Sequence, residues 1–456
     1  LSRAPRTAEE LLRTFSISID GPSGSGKTTT ARLVAKELGL RHVDTGAMYR
    51  AVTLVAIERG VDLGDADRLG GVASELEIFV EQDERGEPCV RIGGRDVTEA
   101  VRSPEVTAAV SAVSAHRSVR AAMVRRQREL SQRGGVILEG RDIGSVVLPW
   151  ADVKIYLDAS VRVRAERRYA ELARAGVRTT ADDVARDLER RDSLDASRAD
   201  SPLVRPVGAW LVDTSNATIA GEVARVVALA RQAAEERAAA MRRTTPSQRQ
   251  RAPYYAVILF VRSLYFVLFD LRWKSLFKPE PAQHYLFASN HISYFDPPAV
   301  SITLPREVHF VAKDSLFKIW WLGPVIRFLN AFPIRRGMFD REAMSTALSL
   351  LESGQSVLIF PEGGRVAGGE LGGARSGVGY LAIRSGVPVV PAYLEGTNRL
   401  RDCFFRKARV RVIHGPPIRI PAGLLDEYRS QDDRALYRRH SEMVMAAIQA
   451  LKEWRR

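Results

Sequence analysis

The stretch Ile17-Ser18-Ile19-Asp20-Gly21-Pro22-Ser23-Gly24-Ser25-Gly26-Lys27-Thr28-Thr29 decides the fold of the first half of the chain. Phe15, Ile17 and Ile19 alternate in the manner of a short buried strand. Gly21 through Thr28 fits G-x-x-x-x-G-K-[ST], and residues 29–38 continue as an amphipathic helix that stops at Gly39. Strand, glycine loop and helix in that order make a phosphate cradle. Glycines let successive backbone N–H groups curl round a polyphosphate, and the helix N-terminus adds the positive end of its dipole. Residues 21–29, that is Gly21, Pro22, Ser23, Gly24, Ser25, Gly26, Lys27, Thr28 and Thr29, are therefore expected to hold a nucleotide. Lys27 would reach its β and γ phosphates and Thr28 its Mg²⁺. The bland alternative, a glycine-rich turn beside a solvated lysine, leaves both flanks unexplained.

At 456 residues the chain exceeds what one core accommodates, so two or three domains are expected. Hydrophobic content of 45% and charged content of 27% are those of a globular protein and exclude a disordered or fibrous one. Cys89 and Cys403 lie far apart and match no metal spacing, which points to a reducing cytoplasm. The N-terminal tail, residues 1–14, lacks the apolar run of a signal peptide. Charge is uneven. Residues 1–251 hold 40 Lys and Arg against 36 Asp and Glu, and residues 252–456 hold 28 against 18, so most of the net +14 lies in the second half. That half needs an anionic partner: a membrane surface, a phosphorylated substrate or nucleic acid.

Beyond the glycine loop, residues 41–50 read as a strand end and a helix start, and residues 76–80 and 89–92 as strands either side of the turn 83–86. A long helical stretch, 105–132, carries Ser111, Arg117 and Arg120. The buried strand Val136-Ile137-Leu138-Glu139-Gly140 delivers Arg141 and Asp142 to its carboxyl end. A strand at 153–157 precedes a helix dense in arginine (Arg162, Arg164, Arg167, Arg168), and a second cluster follows with Arg190, Arg191, Asp192, Asp195 and Arg198. Alternating strands and helices, closed by a strand at 210–213, indicate an α/β unit with a parallel sheet covered on both faces and a small β insertion. Repeated arginines suit phosphoryl transfer, where catalysis is mostly charge placement, although each alone also fits a solvated helix face.

The glycine loop, Asp44-Thr45-Gly46-Ala47-Met48-Tyr49-Arg50, Gly140-Arg141-Asp142-Ile143-Gly144 and Arg191-Asp192-Ser193-Leu194-Asp195-Ala196-Ser197-Arg198 together resemble the bacterial cytidylate kinases, over residues 15–231. The resemblance implies a P-loop kinase fold that phosphorylates CMP and dCMP with Mg·ATP. It implies Thr45, Arg50 and Arg141 near the acceptor's phosphate and sugar. Ser111, Arg120 and Asp142 would read the cytosine edge, Gly140 would belong to the same CMP site, and Arg191, Asp195 and Arg198 would contact ribose and phosphates. Arg167 and Arg168 would sit on a lid over ATP. An Asp/Arg pair is chemically apt for cytosine, which offers an amino donor and ring acceptors. A broader UMP/CMP kinase and a P-loop regulatory or nucleic-acid module stay open as alternatives.

Residues 232–252 read as Ala-rich helix followed by a basic linker of Arg, Ser, Thr, Gln and Pro. Residues 253–269 are apolar nearly all round except for Arg262, with Arg272, Lys274 and Lys278 beyond. A helix here is roughly 25 Å long, close to the ~30 Å of hydrocarbon in a bilayer. Arg262 near its middle argues against a span. The expectation is an interfacial helix over 253–278, peripheral or monotopic on the cytoplasmic face of a membrane, with a buried core helix as the alternative.

The remainder, 279–456, opens with a short strand running into Asn290-His291-Ile292-Ser293-Tyr294-Phe295-Asp296-Pro297. If a turn brings the two together, Asp296 can fix the imidazole tautomer while His291 takes a proton from an alcohol. Phe310-Val311-Ala312-Lys313, Phe332-Pro333-Ile334-Arg335-Arg336, Val357-Leu358-Ile359-Phe360-Pro361-Glu362-Gly363-Gly364-Arg365 and Val387-Pro388-Val389-Val390-Pro391 follow. These blocks, over residues 285–417, resemble the glycerolipid acyltransferases that act on 1-acylglycerol-3-phosphate (lysophosphatidate). The resemblance implies an α/β domain using an acyl-CoA or acyl-carrier-protein thioester as co-substrate, with no nucleic acid involved. It implies His291 as base, Asp296 as its orienter, and Lys313, Arg335, Glu362, Gly363 and Arg365 at the lysophosphatidate. Residues 387–391 would wall the acyl site. The family usually has threonine where Gly364 stands. An acyltransferase of another lysolipid, or a membrane-binding module without catalysis, stay open. From 426 onward the chain reads as polar helix.

Overall fold

The computed structural model describes residues 7–82, 88–174, 176–196, 203–242, 252–280, 283–304, 306–334, 341–366 and 370–454. The chain divides into two compact units, Leu1–Ala238 and Ala239–Arg456. The division falls inside the helix Ile219–Arg242, so the expected linker begins as helix, and its residues 243–251 lie outside the described residues.

In the first unit the strands are β1 (Ser16–Asp20), β2 (Arg41–Asp44), β3 (Ile78–Gln82), β4 (Pro88–Ile92), β5 (Arg95–Asp96), β6 (Val136–Gly140), β7 (Val153–Asp158) and β8 (Ala209–Asp213). Five form one sheet in the order β2-β6-β1-β7-β8, every neighbour parallel. All of β1 is buried, as expected of a central parallel strand covered on both faces. The alternation of Phe15, Ile17 and Ile19 thus marks a strand without marking an exposed face. β3, β4 and β5 form the expected small antiparallel insertion, and the turn between its first two strands lies outside the described residues. Met48, Val52, Met123, Leu138 and Ile143 belong to one continuous core between the sheet and its helices.

One expectation is corrected here. The stretch 105–132 is two helices, Pro104–Ala115 and Arg117–Ser131, broken at His116. His116 is extended (φ −69°, ψ 126°), and its Nε2 lies 2.8 Å from the Leu63 carbonyl. A tertiary contact on the ring therefore holds the break, without proline or glycine.

The second unit holds β9 (Arg272–Ser275), β10 (Leu286–Ser289), β11 (His309–Lys313), β12 (Ala331–Ile334), β13 (Val357–Ile359), β14 (Val389–Glu395) and β15 (Arg411–His414). Their order is β12-β11-β13-β10-β14-β15-β9. The first five are mutually parallel, β15 is antiparallel to β14, and β9 adds to β15 in parallel as an exposed edge. The helix Ala252–Phe269 buries Tyr254, Ile258 and Tyr265 in the core with Phe287, Val300 and Leu358. Its other face leaves Leu259, Phe260, Leu264, Phe266 and Val267 exposed. Arg262 donates to the Ile302 carbonyl and lies over the Trp273 ring, so its charge is held by protein. Among the described residues no helix is long and apolar enough to cross a membrane.

The polar C-terminal helix is also corrected. Helices Ala422–Gln431 and Arg434–Glu453 are amphipathic, and the second buries Leu436, Tyr437, His440, Val444, Ala447, Ile448 and Leu451. It packs so closely on the helix Gly377–Ser385 that a Cβ on Gly379 would lie 1.9 Å from the Tyr437 carbonyl oxygen.

Candidate active sites

In the first unit the glycine loop leaves β1 and enters the helix Lys27–Leu38. Gly21 has φ +152°, and a Cβ there would lie 2.1 Å from the Leu157 carbonyl oxygen, so only glycine lets the loop turn against β7. The Lys27 ammonium donates to the Pro22 carbonyl at 2.7 Å, across the loop it will serve. Burial pulls its pKa down to about 7, the neighbouring Arg141 adds to this, and nearby carboxylates oppose it. An arriving polyphosphate reverses that balance by supplying the missing negative charge. The Ser25 hydroxyl is buried with no hydrogen-bond partner, a group left for a ligand oxygen.

Thr28 is an exposed residue whose hydroxyl donates to the Glu139 carboxylate at 2.9 Å; Glu139 in turn lies 2.9 Å from His42 Nε2. Hydroxyl and carboxylate oxygens are suitable donors for a hard cation. The Thr28 hydroxyl and Glu139 carboxylate are therefore the oxygens here that would fit a Mg²⁺ ion.

Arginines frame the loop from the opposite side. Arg164 is buried and donates to the Ser23 carbonyl at 3.0 Å while pairing with Asp192 at 2.6 Å. Arg167 donates to the Thr214 carbonyl at 2.7 Å, and the Thr214 hydroxyl donates to the Ser25 carbonyl. Arg168 pairs with Glu171 on its own helix at an exposed position and is not brought to the loop. Arg164 lay in plain view in the sequence, but nothing there separated it from its neighbours.

The residues expected at the acceptor gather round the carboxyl end of β6. Arg141 donates to the Gly21 carbonyl at 3.0 Å and to Asp195 at 3.1 Å, tying the phosphate loop to the helix Ala181–Ala196. Arg120 and Asp142 form a buried ion pair, with the guanidinium over the Tyr49 ring. Thr45 donates to the Glu139 carbonyl at 2.7 Å, beside Gly140, and Arg50 pairs with Asp44 at 3.1 Å. Ser111 enters indirectly: its carbonyl accepts from Ser114, whose own carbonyl accepts from Arg120. Arg191 pairs with Asp187 one turn back, and Arg198 lies outside the described residues.

Asp20, for which the sequence suggested no role, fixes this loop. Its fully buried carboxylate accepts from the N–H groups of Ile143 (2.6 Å) and Gly144 (2.8 Å). Desolvation pushes its pKa up to about 7, against the lowering effect of those two bonds.

In the second unit the turn after β10 brings His291 and Asp296 together, Nδ1 to Oδ2 at 2.8 Å. Oδ2 also accepts from the N–H groups of Ile292 (2.6 Å) and Ser293 (2.7 Å), and Oδ1 accepts from the Thr397 hydroxyl. The imidazole stacks on Phe360, with centroids 4.2 Å apart. With Nδ1 held, Nε2 is the nitrogen able to take a proton. Thr397 follows β14, about a hundred residues from Asp296, and carries no local sequence signal.

Glu362, after β13, accepts from the His291 N–H at 2.6 Å and from the Gly372 N–H at 2.8 Å. Desolvation raises its pKa against those bonds. Gly363 takes a left-handed φ of +66° in the same turn. Arg365 lies over the Tyr294 ring at 3.7 Å and donates to its hydroxyl, so it meets the His–Asp turn. Lys313 ends β11 at the same edge of the sheet, two strands from β10; Arg335 lies outside the described residues. Gly364 has open space where a Cβ would stand and no left-handed φ. Tyr265, from the helix Ala252–Phe269, donates to the Phe295 carbonyl at 3.3 Å and so links that helix to the turn.

A family model for cytidylate kinase matches residues 17–232, and one for acyltransferase matches residues 276–395. The cytidylate kinase of Enterococcus faecalis is 47% identical over 212 residues, covering 46% of this chain and 93% of that protein. That of Pelotomaculum thermopropionicum is 46% identical over 212 residues, covering 46% of this chain and 94% of its own. The solved 1-acyl-sn-glycerophosphate acyltransferase PlsC of Thermotoga maritima is 21% identical, covers 45% of this chain and 84% of its own, and superposes with a TM-score of 0.34. Through its first half this chain belongs to the cytidylate kinase family, and its second half carries an acyltransferase domain.

Proposed function

We propose that the chain is a bifunctional transferase. Its first half transfers the γ-phosphoryl group of ATP to CMP or dCMP. An acceptor phosphate oxygen attacks the γ-phosphorus in line, and the β–γ bridge bond breaks to release ADP. Lys27 and Arg167 meet the charge on the transferring group, while Arg141 spans the donor loop and the acceptor side. Mg²⁺ arrives with ATP and neutralises its phosphates. The carrying observation is the Arg120–Asp142 pair beside the Arg141 bridge to Gly21, an acceptor constellation set against the phosphate loop. A panel of nucleoside monophosphates tests this reading. CMP should lead it, and UMP or AMP ahead of CMP would overturn the assignment.

The second half, on this reading, moves an acyl group from an acyl-CoA or acyl-carrier thioester to the free hydroxyl of lysophosphatidate. His291 Nε2 takes the hydroxyl proton as the oxygen attacks the thioester carbonyl, and the C–S bond breaks to free the thiol. The His291–Asp296 contact supports this, since its converging donors fix the imidazole tautomer. The exposed apolar face of the helix Ala252–Phe269, where Phe260 is 70% exposed, supports attachment to a membrane surface. Phe404 and Phe405 are exposed beside Arg406, which donates to the Val267 carbonyl of that helix. Trp320 (86% exposed) and Trp321 are further exposed aromatics of the unit, and Arg272 and Lys274 supply cations for anionic headgroups. Thiol release from acyl-CoA with lysophosphatidate, lost in His291→Ala, tests the chemistry. Release independent of His291 would overturn its role as base, and no release from the unaltered protein would leave a lipid-binding module.

A further inference from the structure

A cleft of about 560 Å³ opens beside the His–Asp turn, and its wall includes Asn290 and Ile292, the residues either side of His291. Its far wall comes from β14 and the segment after it, the same segment that carries Thr397 to Asp296. Asn290 holds the two walls together, exchanging hydrogen bonds with Leu394 at 2.9 and 2.8 Å. The lining is cationic: Arg399, Arg406, Lys407, Arg409, Arg411 and Lys452 accompany one carboxylate, Glu395, while Asp402 pairs with Arg399 at 2.8 Å from outside it.

Much of this charge is oriented by protein. Arg411 pairs with Glu395 at 3.0 Å, Arg409 with Asp270 at 3.5 Å, and Arg406 donates to the Val267 carbonyl at 2.7 Å. No ion pair among the described residues engages Lys407 or Lys452. A cleft with this excess of cations suits a compact, multiply charged anion better than a single phosphate. Its volume is that of a small-molecule site.

We propose that this cleft holds the phosphate groups of the acyl-thioester donor, a coenzyme A-type carrier with its diphosphate and ribose phosphate. The proposal rests on the acyl-transfer reading of His291. It places the donor's anionic end on Lys407 and Lys452, with the oriented arginines behind them, and leaves the thioester to reach Nε2. Lysophosphatidate bears the same phosphate chemistry, and the test separates the two sources.

The experiment uses the full chain and the double variant Lys407→Glu/Lys452→Glu. Its CMP kinase activity and thermal unfolding report whether it is folded. KM is measured separately for acyl-CoA and for lysophosphatidate, and coenzyme A binding is measured by equilibrium dialysis. The expected result is a rise of about tenfold or more in KM for acyl-CoA, from the loss of charge-assisted hydrogen bonds. The KM for lysophosphatidate and kcat should stay within about twofold, and coenzyme A binding should weaken in parallel. A rise confined to lysophosphatidate assigns the cleft to the acceptor and overturns the proposal, as does no change in either KM. If the unaltered protein transfers no acyl group, the reading of His291 fails by itself. Dialysis then decides the cleft: charge-dependent binding of coenzyme A supports it, and no binding overturns it.

Discussion

Asp296 offers the sharpest test of the His–Asp turn, because its environment fixes what each substitution removes. Asp296→Asn can keep its amide oxygen at the Oδ2 position, still accepting from Ile292, Ser293 and His291. The new NH₂ then replaces Oδ1 opposite Thr397, whose hydroxyl can turn to accept. The tautomer survives, and only the charge is lost. A carboxylate about 4 Å from the developing imidazolium is worth ~4 kcal/mol at an effective dielectric of 20, so kcat should fall about 10³-fold. Asp296→Ala leaves the donors on Oδ2 unmet, and should fall further and lose several kcal/mol of stability. Thr397→Val removes one donor to Oδ1 while the Oδ2 contacts stand; it should cost about 1–3 kcal/mol of stability and tenfold or less in kcat. Single-turnover thiol release and thermal unfolding, on all three variants, give the ranking. An Asp296→Asn enzyme within tenfold of the parent would refute the charge argument. A Thr397→Val enzyme as slow as Asp296→Asn would refute the division of labour between the two oxygens.

Other outcomes follow from the same geometry. Lys27→Ala should lower CMP phosphorylation by on the order of 10²–10⁴-fold and leave acyl transfer unchanged, as assayed in parallel on one preparation; joint loss would mean the halves are not independent. Lys154, buried in β7, has its pKa pulled down to about 7 by desolvation against the opposing field of Asp20. The unfolded chain therefore binds more protons between about pH 7 and 10.5, so this residue makes stability rise with pH across that window. Lys154→Met should flatten the rise and add on the order of 1–4 kcal/mol at pH 7 in urea melts; an unchanged pH profile would contradict the burial cost. Gly364→Thr should fold normally, because open space and an ordinary φ await the side chain; a lower melting temperature would show otherwise. Phe260→Asp with Val267→Asp should abolish co-flotation with anionic vesicles while CMP kinase activity persists, and retained flotation would locate the membrane contact elsewhere.

What the sequence made legible was what lies within one loop. Gly21 to Thr28 and the His291–Asp296 spacing are local motifs, read without knowing which strands are neighbours. Residues acting across the sheet were not legible. Thr28 meets Glu139, Asp20 meets Gly144, and Asp296 meets Thr397, each over a hundred residues away. The C-terminal helix was misread for a different reason. Its apolar positions recur at helical spacing, but Arg434, Arg438 and Arg439 stand among them and mask the buried stripe. At 105–132 the break at His116 is set by the Leu63 carbonyl, which no window of local sequence contains. The edge strand β9, only four exposed residues long, has no hydrophobic period to detect.

Both sites occupy the same place in their sheets, and this explains which residues were found. In each unit, loops after adjacent parallel strands meet at the carboxyl edge: β1 and β6 bring the phosphate loop to Gly140, Arg141 and Asp142, and β10 and β13 bring His291 to Glu362. β1 and β6 are separated by the whole β insertion and five α-helices, yet Asp20 and Gly140 are direct register partners. Functional adjacency is thus decided by strand order, and a residue such as Asp20 gains its role only when β6 is laid beside β1. The buried carboxylates Asp20, Glu139, Asp296 and Glu362 share this property. Each accepts hydrogen bonds from a loop that follows another strand or a later element, or from the backbone of a neighbouring active-site residue. A carboxylate so placed is costly to bury unless its donors are in position, so it couples correct strand pairing to correct site geometry. Mispairing either sheet would leave those charges uncompensated, which makes the arrangement of each site part of what specifies its fold.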